Sequence, residues 1–359
     1  MEKNVILSVK DLVVKFKVRD RTLTAIRNIS MDFEEGKVVA IVGESGSGKS
    51  VFTKTFTGML DSNGYIDQGE IWFEDQDISK LTTDEEWEKI RGGRIAMIFQ
   101  DPMTSLNPVL TIGSQIVEVI MKHQGKNKEE AKQLAINLMN RVGIREAERR
   151  FDEYPFMFSG GMRQRIVIAI ALACRPRILI CDEPTTALDV TIQAQILDLI
   201  KDLAAEYSFT TIYITHDLGV VAKVADVVAV MYSGQIVEYG TVEEIFYDSR
   251  HPYTWGLLSS LPQLGDKDQE LFAIRGTPPS LFLDIVGDAF AQRSDYSMKI
   301  DFIKEPPMFK VTDTHYAKTW LLDERAPKVE RPEIIQNLHE KMKKLTSKGG
   351  VYHDRRQDQ

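Results

Sequence analysis

The segment GESGSGKS, Gly43 to Ser50, has the spacing G-x-x-x-x-G-K-[ST] and follows the apolar run KVVAIV. Glycines let a backbone wrap closely around phosphate groups, so that consecutive N–H groups and the start of a following helix face the anion. Gly43, Ser45, Gly46 and Gly48 would line such a cradle, Lys49 would reach the β and γ phosphates, and the Ser50 hydroxyl would bind magnesium. A second stretch, ILICDEP at 178–184, ends an apolar run on two acids. At a strand end Asp182 can hold magnesium through water, and Glu183 can orient or deprotonate an attacking water. An Asp-Glu pair alone says little, but downstream of a phosphate loop it supplies the other half of nucleoside triphosphate hydrolysis.

These groups need a rigid frame. RIAMIFQ, RILICDE, TTIYITHD and DVVAVM are short and almost continuously apolar, as expected of strands buried on both faces of a parallel sheet. Residues 5–42 read as strands and turns, because ILSVKDLVVKF and TLTAIRNISMDF alternate apolar and polar positions. Helices fill the intervals. In NKEEAKQLAINLMNRVGI, Asn127 and Glu130 stand at capping-box spacing and Gly143 is a stop signal. The expected fold is therefore α/β, a P-loop nucleotide-binding core with an antiparallel β subdomain and an inserted helical segment at about 104–158.

Composition narrows the partners. The chain has 359 residues, 43% of them hydrophobic, enough for a large core and two domains. A formal net charge of −8 and the lack of a basic run argue against nucleic acid. The opening MEKNVILSVKD lacks a secretory pattern, and apolar runs such as IVIAIALAC fall short of the roughly 18 residues of a membrane span, so a cytosolic chain is expected. Cys174 and Cys181 lie in apolar runs without CxxC spacing and read as buried, reduced thiols.

FSGGMRQR, Phe158 to Arg165, has a physical reading of its own. Ser159, Gly160 and Gly161 precede a helical run, so their N–H groups and the helix dipole can face a phosphate. With Gln100, TALD at 186–189 and His216 in YITHD, it makes residues 5–240 resemble an ATP-binding-cassette ATPase. The resemblance implies that Phe16 stacks on adenine, that Gln100 senses magnesium and the attacking water, that His216 contacts the γ-phosphate, and that Asp189 closes a nucleotide-site loop. It also implies that Ser159, Gly160 and Gly161 face ATP held by another subunit, so that hydrolysis needs a head-to-tail cassette dimer. Two departures stand out: Phe158 where leucine is usual, and Thr186 where serine is commoner.

Past Gly240 prolines cluster and strand signals weaken. The expected division is a cassette at 1–240, a C-terminal regulatory-type domain at 241–330, and a terminal helix with a disordered tail at 331–359. QDPMTSLNP, RHPYTWGLLSSLP and GTPPSL resemble the cassette subunits of oligopeptide, dipeptide and nickel importers, extending the likeness to about residue 325. That likeness implies two transmembrane permease subunits docked on the helical segment and residues 100–110. It further implies a second cassette, a homologous chain or a copy of this one, an extracellular binding protein that selects cargo, and a place on the cytoplasmic face of the membrane. Peptide is the expected cargo, ahead of nickel or another small solute. A soluble cassette ATPase of translation or DNA maintenance is the alternative, disfavoured by the single cassette and the lack of a long coiled-coil insertion.

Relatives of that kind often hold an iron–sulfur cluster through cysteines after GTPPSL. The matching positions here are Asp288, Ser294, Asp301 and Thr319, none of them a thiolate. No cluster is expected, and Phe290, Met298, Ile300 and Phe302 are the expected packing residues instead. In PEIIQNLHEKMKKL, Ile335, Leu338, Met342 and Leu345 form one apolar stripe, expected to pack on the protein itself.

Overall fold

A computed structural model describes residues 4–185, 188–261, 274–336 and residue 338. Two long hairpin strands open it, β1 (Val5–Val18) and β2 (Arg21–Glu34), followed by the short β3 (Val38–Val42). Next come β4 (Gly64–Phe73), β5 (Gln76–Asp77) and β6 (Ile95–Ile98). The remaining strands are β7 (Ile178–Asp182), β8 (Thr210–Thr215), β9 (Val227–Tyr232), β10 (Gln235–Thr241), β11 (Phe309–Lys310) and β12 (Tyr316–Ala317).

They form two sheets. One is antiparallel, ordered β2-β1-β4-β5; the other is ordered β11-β12-β10-β9-β3-β8-β7-β6. In the second, β9, β3, β8, β7 and β6 run parallel, and β10, β12 and β11 add antiparallel partners at one side. The four apolar runs are thus the parallel strands β6 to β9, as their lack of alternation requires.

Successive side chains of a strand point to opposite faces. In β3, Val39 and Ile41 join the core shared with the antiparallel sheet, whereas Ala40 and Val42 join the helical side. Ile178 and Ile180 divide from Leu179 and Cys181 in the same way. Both cysteines are buried and free, and burial pushes the Cys174 thiol up to about 11.

The helical insertion runs through Pro102–Ser105, Ile112–Gln124, Lys128–Arg141 and Ala147–Arg150, starting two residues before the expected boundary. Asn127 and Glu130 make the reciprocal capping box that their spacing predicts. The helix Gly160–Ala173 packs against this insertion and runs back to the parallel sheet, so FSGGMRQR sits at the joint between the two.

The appended segment shares the main sheet. Ala317 and Tyr316 pair with Glu238 and Tyr239 of β10, and Phe309 and Lys310 continue outward. Its anchor is Glu238, fully buried, whose carboxylate accepts from the N–H groups of Arg250 and His251 and lies 2.8 Å from His315 Nε2. Of the four expected packing residues only Phe290 belongs to the core. Met298 and Ile300 are half-buried, and Phe302 is exposed, which corrects the expectation: it falls in the short turn Lys299–Phe302, whose buried member is Asp301. Tyr232, Tyr253 and Phe290 form the aromatic junction, with ring centroids 4.6–5.3 Å apart. Near the end, Ile335 and Leu338 are buried in the main core as their stripe predicts. Met342, Leu345 and the terminal tail lie outside the described residues.

Candidate nucleotide site

Gly43–Ser50 connects β3 to the helix Lys49–Lys54. Its glycines are dictated by the backbone. Gly43 has φ +155° and a Cβ there would stand 2.1 Å from the Met231 carbonyl oxygen; Gly48 has φ +101° and a Cβ would meet the Ala25 carbonyl at 2.9 Å. Any side chain would push the loop off the sheet. Ser45 and Gly46 are exposed at its crest. Beneath them Lys49 is buried, and its Nζ donates to the Gly43 and Glu44 carbonyls at 2.8 and 2.9 Å. Burial lowers its pKa from the usual lysine value, while the charges of Glu183, Asp182 and Glu44 oppose that shift.

Strand β7 delivers the two acids. The Ser50 hydroxyl donates to Asp182 Oδ1 at 3.2 Å, and burial raises the Asp182 pKa above the ordinary carboxylate value. Hydroxyl and carboxylate are both half-buried hard oxygen donors, a set that fits magnesium. Glu183 follows with φ +45°, a costly conformation for a residue with a Cβ, held by its N–H bond to the Ile214 carbonyl at 2.9 Å.

Both oxygens of the Glu183 carboxylate are engaged. Gln100 Nε2 donates to Oε2 at 2.8 Å, and His216 Nδ1 lies 3.1 Å from Oε1. Gln100 follows β6, Glu183 follows β7 and His216 follows β8, so three adjacent parallel strands place three polar side chains in one cluster. Ligand sites of open α/β sheets lie at such carboxyl ends. Residues 83 and 33 positions from Glu183 in sequence meet at its carboxylate, which a local turn could not achieve.

The remaining predicted residues lie apart. Phe16 is half-buried near the end of β1, its ring against Gly64, where a Cβ would come within 2.6 Å. Ser159 is exposed and caps the helix Gly160–Ala173 by accepting from Met162 N–H at 3.4 Å. Gly160 is exposed, and Gly161 lies against Ile192. Asp189 is exposed and caps the helix Val190–Tyr207 through the N–H groups of Thr191 and Ile192. Phe158 is buried under the Arg150 guanidinium, which fits an aromatic ring at the head of the motif. Thr186 lies outside the described residues.

The four oxygen-bearing positions of the appended segment each serve their own turn. Asp288 accepts from Phe290 N–H, Ser294 from Tyr296, Asp301 from Met298 and Thr319 from Leu321.

Sequence reasoning missed two contacts on Glu44. The Arg293 guanidinium pairs with its carboxylate, and the Tyr253 hydroxyl accepts from its N–H at 2.8 Å. The one available signal was the acid at position 44 inside the glycine-rich segment Gly43–Ser50.

Known proteins align with these features. The family model described as ABC transporter matches residues 26–186, and that of the oligopeptide/dipeptide transporter C-terminal region matches residues 237–300. The chain is 69% identical to the oligopeptide transport ATP-binding protein AmiE of Streptococcus pneumoniae over 95% of this chain and 96% of that protein. It is 57% identical to the oligopeptide transport ATP-binding protein OppD of Bacillus subtilis, over 95% of each chain. Among solved structures, the dimeric post-hydrolysis state of the ATP-binding cassette MJ0796 bound to ADP and Pi superposes with a TM-score of 0.59. The two are 28% identical, over 66% of this chain and 98% of that one.

Proposed function

This chain belongs to the ABC transporter ATPases, in the branch of oligopeptide and dipeptide transport ATP-binding subunits, and we propose that Glu183 with its partners drives peptide import from a shared ATP site. The carrying observation is the Glu183 carboxylate gripped from both sides by Gln100 and His216, beside the Lys49 loop. Gly43, Ser45, Gly46, Gly48 and Lys49 receive the phosphates of ATP, and Phe16 stacks on the base. Ser50, Asp182 and Gln100 would hold magnesium, which neutralises phosphate charge when bound.

Glu183 orients the attacking water and takes its proton. Gln100 fixes one carboxylate oxygen, and His216 fixes the other while facing the γ-phosphate. Ser159, Gly160, Gly161 and Asp189 act across the dimer, on ATP held by the other cassette. The exposed N-terminus of Gly160–Ala173 suits that role, because its N–H groups and dipole favour an anion.

As an importer ATP-binding subunit the chain works with membrane permeases and is peripheral to the membrane. Among the described residues no helix is long and apolar enough to cross it. Two permease subunits would dock on the helical insertion. Val109 and Phe156 are 74% and 70% exposed there, and the Ile112 N–H bond to the Glu153 carbonyl joins their two segments. The second cassette is a homologous chain or a copy of this one, an extracellular binding protein selects the cargo, and the site of action is the cytoplasmic face.

Uptake of a labelled peptide by cells carrying Glu183→Gln in place of the wild-type chain tests the reading. Loss of uptake with the subunits still assembled is the expected result; normal uptake would refute it. Companions purified with the tagged chain should be membrane subunits, and ribosomes in their place would favour a soluble factor.

A further inference from the structure

Glu44 places a carboxylate inside the loop that receives phosphates, where an unpaired anion would repel them. Besides the Ser47 N–H within the loop, partners from three other elements hold this residue. Arg293 forks onto the carboxylate, Nη1 to Oε2 at 2.6 Å and Nη2 to Oε1 at 2.9 Å. The Tyr253 hydroxyl accepts from the Glu44 N–H, and the Glu44 carbonyl accepts from Lys49 Nζ. Side chain, N–H and carbonyl of one loop residue are thus tied to three different elements.

The arginine half of the fork is shielded and held by further bonds. The Arg293 side chain is only 5% exposed. Its Nε donates to the Arg275 carbonyl at 2.8 Å and its Nη2 reaches the Gly276 carbonyl at 3.3 Å. Its guanidinium lies 5.7 Å from the ring centroid of Tyr232 and 5.9 Å from that of Phe290. The bond to Glu44 is the main cause that holds its pKa above the usual arginine value. Planar bidentate pairing of this kind fixes orientation as well as charge.

We propose that Arg293 is a positioning residue for nucleotide binding: it neutralises Glu44 and pins the first turn of the phosphate loop, so the appended domain sets the affinity for ATP. This rests on Gly43–Ser50 being the ATP loop. An interdomain ion pair with no further role would end on the core surface; this one ends six residues before Ser50, and Tyr253 from a second appended element meets the same residue. The domain therefore has a direct hold on the loop.

The test is titration of the purified full-length chain with magnesium ATP, for wild type, Arg293→Ala, Arg293→Lys, Glu44→Gln and the double variant Glu44→Gln/Arg293→Ala. Arg293→Ala is expected to bind about tenfold more weakly, because it leaves Glu44 uncompensated. The double variant should recover at least about threefold of that loss, since the repelling carboxylate is gone. Arg293→Lys, which keeps the charge and loses the fork, should fall between, and it carries the test if Arg293→Ala is unstable. In the assembled transporter Arg293→Ala should raise the KM for ATP and leave kcat within about twofold. Wild-type affinity in both Arg293 variants, or a double variant no tighter than Arg293→Ala, would overturn the proposal. Failure of the wild-type chain itself to bind ATP would instead defeat the assignment of the loop.

Discussion

Two sets of oxygen-rich side chains sit in this chain and are built on opposite plans. Around Glu183, groups from the ends of β6, β7 and β8 converge on one carboxylate. In the appended segment, Asp288, Ser294, Asp301 and Thr319 each accept an N–H two or three residues away. Local bonding of that kind shapes turns. Convergence from separate elements is what marks chemistry, because each element must be held in place for the cluster to exist. Ser159 and Asp189 stand between the two plans: each caps its own helix, and only a second cassette would make them converge on ATP.

The largest effect should come from the convergent set. Glu183→Gln keeps shape and φ but removes the base, so single-turnover hydrolysis in the assembled complex should fall by at least about a thousandfold, some 4 kcal/mol of barrier. A near-normal rate would place the base elsewhere. Gly160→Ala probes the intermediate case. Its Cβ would meet nothing closer than Leu188 Cδ2 at 3.8 Å, so the chain should fold and bind ATP normally. Hydrolysis in the complex should nevertheless drop about thirtyfold, roughly 2 kcal/mol, as the new methyl crowds the other cassette's phosphate. An unchanged rate would return the signature to plain helix capping.

The local set should leave turnover unchanged and act on stability alone, in a way that depends on pH. Burial, reinforced by Asp301, raises the Asp288 pKa from 3.8 to about 6, against the opposing bond from Phe290 N–H. A carboxyl raised in the folded state adds full stability below its unfolded pKa and loses it as pH climbs through the folded value. Asp288→Asn keeps an oxygen acceptor and removes the ionisation. It should stabilise the chain by about 1–3 kcal/mol above pH 6 and by nothing below about pH 4, as read by thermal melts. Loss of ATPase activity in this variant would mean that the local set does more than shape turns.

What the sequence made legible follows from the range of each signal. Apolar runs buried on both faces revealed β6 to β9, and the Asn127–Glu130 spacing revealed a capping box, because both patterns are local. The glycine-rich turn Gly43–Ser50 after β3 and the acid pair Asp182–Glu183 at the end of β7 were visible for the same reason. Strands Phe309–Lys310 and Tyr316–Ala317 are too short to alternate, so the sharing of one sheet by both parts of the chain was hidden. Phe302 was expected among the packing residues with Phe290, Met298 and Ile300, yet it ends the turn Lys299–Phe302, whose buried member is Asp301, and is exposed. The Arg293–Glu44 fork spans 249 positions, and its one local sign is the acid at position 44 itself, with nothing around Arg293 to name the partner.

One chain should build one working half of a site shared between two cassettes. ATP binding and hydrolysis by the purified chain, measured beside its mass by light scattering, test it most directly. The monomer should bind ATP and hydrolyse it poorly, with turnover appearing only on assembly with a second cassette. Vigorous hydrolysis by a demonstrable monomer would contradict it.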